Sequence, residues 1–514
     1  MSASCRILFI GMDGAEADLL TKWEEAGVMP NLQRLRERGA WAIRPNPLGL
    51  GNDATWAVIS TGLNPGKLGR YFVRQVWPGT YAAVKFRAAD VKVEPFWIHA
   101  SRAGKRVAII DMPYASVAED LNGFQLADWL VHGPLYDHKL HTYPASFAAE
   151  VSARFGTDPV GSSDRPGRRN LAQNQSLREG LLQKTKLKAD FACHYLGEGG
   201  WDLFMVTFTD VHCIGHTCWH LHDPAHPLYD AAIVEAMGDV VKDLYVAFDV
   251  ALGRLLDCVG PETTVVMFTG PGMRANYSPS YLLDAVLRHL ENGPETRDRR
   301  IMKPLRKSYR RLAPPALRAR LRKLSDWVNE RSLVADRKRR KCFAVPSNEI
   351  AGAIRVNLVG REPNGRVHRG AEYDAFFEEL RRDLLEVVNL DTGKPIAKDV
   401  LRADKLYHGR YLDDLPDILV IWARDAPVSA IGSPKVGTVR GEYPGNRTGD
   451  HTPDFFFLAQ GPGIRPGEIG QPVTAMDIAP TMAAMLGVSL PETDGASIAS
   501  LCLGKERVVE EVAV

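Results

Sequence analysis

Nowhere in its 514 residues does this chain hold the roughly 18 consecutive apolar residues that a membrane-spanning helix needs. A secretory leader is not expected either, because a core-like strand is predicted within about six residues of Met1. Cysteine is sparse: the seven are scattered and odd in number, and only Cys213 and Cys218 lie close together, without the flanks of a zinc knuckle. These absences exclude a disulfide scaffold and predict a reduced, cytoplasmic protein. There is no internal repeat, and low complexity is confined to one basic block. A net charge of +2 names no partner, and nothing points to a specific nucleic acid. Hydrophobic content of 45% and charged content of 25% are ordinary for a globular chain. The length allows one large domain with a smaller one, or one domain with large insertions.

What is present begins with RILFIGMDG, residues 6–14. Four apolar residues without alternation, Ile7 to Ile10, run into Gly11, Asp13 and Gly14. That pattern suits a strand buried on both faces of a parallel sheet. Open α/β sheets place ligands at the carboxyl ends of such strands, so Asp13 is expected at the mouth of a site, with a helix-capping role as the alternative. RVAIID (106–111), WDLFMVTFTD (201–210), TTVVMFTG (263–270), DILVIW (417–422) and FFFLAQ (455–460) repeat the signature. Helical segments lie between them: 16–26, 31–38, 55–61, 239–259 and 475–486. Strands alternating with helices predict an α/β fold, a three-layer sandwich about a mostly parallel central sheet. The expected core is 1–296 with 401–514, and 297–400 is the expected insertion. Its first part, 297–341, carries 18 Lys or Arg against four Asp or Glu. Leu317, Leu321, Leu324, Trp327 and Val328 give that block helical spacing, which predicts a basic amphipathic helix docked on the acidic remainder of the chain, with an acidic partner or a membrane surface as the alternatives. The second part, 342–400, reads as a small α+β cap.

Three strand ends carry chemistry. They are Asp13, the cluster TDVHCIGHTCWH with Asp210, His212, His216 and His220, and GDHTP with His451. A carboxylate with two or three imidazoles is the donor set that zinc and similar divalent ions favour. Asp128 and His132, in QLADWLVHGP, are further candidates for the site.

Taken together, Asp-Gly after the first strand, MPNLQRL, WAVISTGLNPGKLG, Asp-x5-His after a middle strand and GDHTPDFFFLAQGPGI resemble the alkaline phosphatase superfamily. The likeness is closest to its type I phosphodiesterase/nucleotide pyrophosphatase branch and covers 5–85, 200–290 and 440–500. TAMDIAPTMAAMLGVSLPETDGAS resembles the closing helix and turn of that family. The resemblance implies two metal ions flanking a Thr or Ser nucleophile, which stabilise the attacking and leaving oxygens. It places one metal's ligands on Asp210, His216 and His451, with His212 beside them, and assigns Asp13 to the other. At the remaining positions the chain departs from the pattern. The nucleophile position falls on Asn52, and Thr269-Gly270-Pro271-Gly272-Met273 stands where the family has Ser-Asp-His-Gly-Met. The resemblance therefore implies a divergent phosphate-ester hydrolase with one retained divalent ion, most simply zinc, and a lost second site. Asn52 and Asp53 are the residues left at the catalytic position, and a small anionic or phosphorylated molecule is the expected substrate. A catalytically silent relative that binds such an anion, or a metal site turned to other chemistry, are the alternatives, because an Asn amide is no nucleophile.

Overall fold

The computed structural model describes residues 5–132, 135–136, 139–163, 167–291, 331, 333–348 and 350–501. It divides into two compact units. One comprises Met1–Leu68, Arg87–Asn276 and Gly445–Val514, and the other Gly69–Phe86 and Tyr277–Pro444.

The first unit is built on a nine-stranded sheet. Its strands are β1 (Cys5–Met12), β2 (Ala40–Pro45), β3 (Val107–Ile110), β4 (Gly123–Ala127), β5 (His141–Tyr143), β6 (Trp201–Phe208) and β7 (Thr264–Phe268). After a separate two-stranded ribbon of β8 (Met273–Ala275) and β9 (Gly449–His451) come β10 (Asp454–Gln460) and β11 (Gly467–Glu468). The order across the sheet is β11-β2-β10-β7-β1-β6-β3-β4-β5. The inner run β7-β1-β6-β3-β4 is parallel throughout, while β10 and β5 pair antiparallel with their neighbours. The mostly parallel α/β sandwich expected from the sequence is the fold observed.

Alternation along β1 explains the three layers. Leu8, Ile10 and Met12 enter one hydrophobic cluster with residues of α1 (Ala17–Glu25) and α2 (Pro30–Glu37). Ile7 and Phe9 enter a second cluster, on the other face, with residues of α3 (Asn52–Thr61). The first cluster also takes in α4 (Leu171–Glu198), α5 (Asp210–His222) and α6 (Val240–Asp257). The second takes in α7 (Ile478–Leu486). Both faces of β1 are therefore dry, which is why its sequence is a continuous apolar run. α3 ends where the expected helix 55–61 ends, and Gly62 closes it in a left-handed conformation, φ 73°. The start differs: α3 begins at Asn52, three residues before the expected helix, so Asn52 belongs to a first helical turn and not to the preceding loop.

The second unit has its own core. Cys342–Val345, Ala351–Val356, Ile418–Trp422 and Ala397–Arg402 form a four-stranded antiparallel sheet in that order. Its apolar residues pack with the helices Ser280–Leu290 and Ala371–Leu385. The unit is wider than the expected insertion 297–400. In particular DILVIW pairs here and not in the central sheet, because a five-residue apolar run fixes a buried strand without naming its sheet. The expected basic helix of 297–341 falls almost wholly outside the described residues.

Candidate functional site

Asp13, Gly270 and the start of α5 meet because β7, β1 and β6 are neighbours and all three end at the same edge. Backbone bonds fix that convergence: Asp13 N–H donates to Phe208 O at 2.9 Å, and Gly14 N–H to Thr269 O at 3.1 Å. Gly14 has φ 75°, and a Cβ there would lie 2.8 Å from the Cα of His212, so only glycine lets β1 come this close to α5.

The Asp13 carboxylate, 2% exposed, collects three donors. Trp56 Nε1–H reaches Oδ1 at 2.9 Å, while His212 Nδ1 at 2.5 Å and Asn52 Nδ2 at 3.3 Å reach Oδ2. Asn52 and Trp56 are one helical turn apart in α3, so both project from one face toward the same acid. Burial raises the Asp13 pKa above its usual 3.8, against the opposing pull of His451 and Trp56. Oδ1 of Asn52 is buried and has no hydrogen-bond partner among the described residues. Asp53 lies in the same first turn and is also buried.

Around this acid stand four imidazoles. His212 and His216 are i, i+4 on α5, with ring centroids 4.6 Å apart. His451, at the end of β9, lies 4.7 Å from His212 and 4.8 Å from His216. His132 stacks on His212 at 4.3 Å. Candidate ligand atoms of His132, His212 and His216 lie within 4.8 Å of one another. His216 Nδ1 donates to Gly449 O at 2.9 Å and His451 Nδ1 to Gly272 O at 3.0 Å. An Nδ1 bonded to a carbonyl must carry the proton, which leaves Nε2 as the lone-pair nitrogen of each ring. Burial holds both imidazoles well below their usual pKa of 6.5, with neighbouring cationic and imidazole groups adding to the effect, so both are neutral. Arg447 completes the group: Nη1 lies 3.3 Å from His216 Nε2 and Nη2 lies 3.3 Å from His132 Nε2.

Of the expected residues, the structure brings Asp13, Asn52, His212, His216 and His451 together. Asp210 stands apart. Its Oδ2 accepts from Thr185 Oγ1 at 3.0 Å on α4, and the charges that act on it are those of Lys184, Lys188 and Asp158. His216 is six positions on from Asp210 along the helix, a turn of roughly 240°, whereas the four-position offset from His212 brings His212 and His216 onto the same face. The Asp-x5-His spacing thus named the wrong partner for His216, and His212 takes the place expected of Asp210. Asp128 is likewise committed elsewhere, accepting the Leu135 and Tyr136 N–H groups at 3.0 and 2.7 Å. Gly270 and Pro271 bring no side-chain ligand, as expected, and the Thr269 hydroxyl accepts from Phe456 N–H at 2.9 Å to hold β10. Sequence reasoning missed Trp56 and Arg447. Helical spacing from Asn52 would have found the first, and no local signal marks the second.

The fold is shared with solved proteins of low sequence identity. The murine ectonucleotide pyrophosphatase/phosphodiesterase 5, in an inactive form bound to AMP, superimposes with a TM-score of 0.52 at 11% identity, over 97% of this chain and 99% of that one. The human counterpart gives 0.51 at 12%, over 97% and 98%. Phosphonoacetate hydrolase from Sinorhizobium meliloti 1021, bound to phosphonoformate, gives 0.50 at 14%, over 95% and 96%. No protein of curated function matches the chain. Residues 7–441 match one family description, and by that match the chain belongs to the type I phosphodiesterase / nucleotide pyrophosphatase family.

Proposed function

We propose that this chain is a divergent phosphoryl hydrolase of its family, acting on a small phosphate ester or related anion through one divalent ion and without a covalent phosphoenzyme. The observation that carries the reading is the pair of Nδ1-to-carbonyl bonds of His216 and His451. Such bonds orient metal-binding imidazoles and fix their tautomer. The donors fit an ion of zinc type: neutral imidazoles of His216 and His451, with His212 and His132 at hand. Bound there, the ion would supply Lewis acidity toward a phosphoryl oxygen and acidify a water.

The chain's own residues supply the rest. The Asp13–His212 bond holds the His212 proton on Nδ1, so Nε2 can take a proton from water, with Asp13 orienting the ring. The Asn52 amide cannot attack phosphorus, but its unpartnered Oδ1 can accept from that water and align it. Arg447 offers a planar fork matched to two phosphoryl oxygens.

Protein purified without chelator should carry close to one divalent ion per chain by elemental analysis and should hydrolyse an aryl phosphodiester slowly. His216→Gln should lose the ion and at least roughly a hundredfold in rate. A second reading, a silent relative that binds an anion, is favoured by Arg447, whose guanidinium sits on two of the imidazole lone pairs. Metal-free protein with no turnover of any aryl phosphate mono- or diester, yet with measurable phosphate binding, would establish that reading instead.

A further inference from the structure

We infer that Arg447 competes with the metal ion for the imidazole cluster, so that the site exchanges between an arginine-bridged and an ion-bound form; this rests on the metal reading above. The His216 proton is on Nδ1, bound to Gly449 O, so Nε2 has a single lone pair. Arg447 Nη1 is seated against it, and Nη2 against the corresponding nitrogen of His132, both at 3.3 Å. One lone pair cannot serve an N–H donor and an ion together. A guanidinium is charged at every accessible pH, so it also repels a second cation from the same place.

The backbone that carries Arg447 is pinned. Thr448 N–H donates to His216 O at 2.7 Å, and Thr448 Oγ1 accepts from His220 N–H at 3.3 Å. A Cβ at Gly449 would fall 2.2 Å from Gly215 O, so the segment lies hard against α5. The exchange therefore belongs to the arginine side chain. It is only half-buried and can leave by rotating about its own bonds while Gly449 keeps its hold on His216.

The test is a zinc titration of the full chain against a chromophoric chelator. Arg447→Gln and Arg447→Met should bind zinc at least tenfold more tightly than wild type, a difference of about 1.4 kcal/mol. Melting in EDTA reports whether each variant folds. On the wild-type protein, which needs no variant, zinc should expose Arg447 and make its modification by phenylglyoxal several-fold faster, as read by peptide mass spectrometry. Equal zinc affinity in wild type and variants, or slower labelling with zinc bound, overturns the inference and leaves the metal reading intact. Failure of every form to bind zinc overturns both.

Discussion

Asp13→Ala should destabilise the protein by roughly 3–5 kcal/mol, the range for removing one partner from a buried charge network. Three donors would be left facing an apolar gap: the Trp56 indole, the Asn52 amide and the His212 Nδ1–H. Each lies in a site where water has little access, so the loss approaches the full desolvation cost of each group. Asp13→Asn keeps the shape and one acceptor and should cost less, about 1–3 kcal/mol. Urea unfolding in chelator measures both. The pH dependence gives a second readout. Burial raises the Asp13 pKa, so between 3.8 and its folded value the native state holds more protons than the unfolded chain. The contribution of this group to stability then falls as pH rises through that window, and Asp13→Asn should lack the decrement. A loss below about 1 kcal/mol for Asp13→Ala would mean that the acid does not organise the site.

The central sheet was legible because its strands are buried on both faces, and burial on both faces writes an unbroken apolar run. The same signature misassigned Ile418–Trp422, which is equally apolar but pairs antiparallel with Ala351–Val356 in the second unit. Partner choice is a long-range property that no short window encodes. Pro45, Pro47, Gly49 and Gly51 precede Asn52 and read as loop, which puts the expected helix at 55–61, yet the helix begins directly after the last of these glycines.

At the site, strand ends predicted Asp13, and residue type predicted the histidines. What spacing alone mistook was rotation. Asp210 and His216 are close in sequence but on different sides of one helix, and Asp210 is drawn to Thr185, Lys184 and Lys188 instead. Arg447 was invisible because its role comes from the approach of β9 to α5, through Gly449 and Gly215, and not from its neighbours in the chain. The two residues missed are the two donors that now occupy acceptors a cation would otherwise use. Trp56 sits on Asp13 Oδ1, and Arg447 on His216 Nε2.

Gly270→Asp is the complementary experiment, and in chelator it should cost roughly 3–5 kcal/mol. Gly270 has φ 64°, where aspartate is among the few residues tolerated, so backbone strain is the smaller part of the cost. A Cβ there lies 3.3 Å from Trp56 Nε1, 3.4 Å from Asn52 Oδ1 and 3.5 Å from Asp13 Oδ1. The new carboxylate would therefore enter a buried space beside an existing one, where two negative charges cannot both persist. The Asn52 Oδ1 acceptor has no donor there to offer relief. A divalent ion would supply it, by joining two carboxylates and the Asn52 oxygen. Saturating zinc or manganese should return at least about 1.5 kcal/mol to Gly270→Asp beyond any gain it gives wild type. Asn52→Thr alone should form no phosphoenzyme, because Trp56 and His212 still occupy the two oxygens of Asp13, and Gly270 and Pro271 offer no side chain to hold an ion beside the hydroxyl. Joining Asn52→Thr and Gly270→Asp with Pro271→His restores the ligand types, and with Trp56→Phe it also clears Oδ1. Gly270→Asp as stable as wild type in chelator, and indifferent to metal, would show that the new carboxylate turns away from Asp13 and that this edge of the sheet cannot rebuild a second ion site.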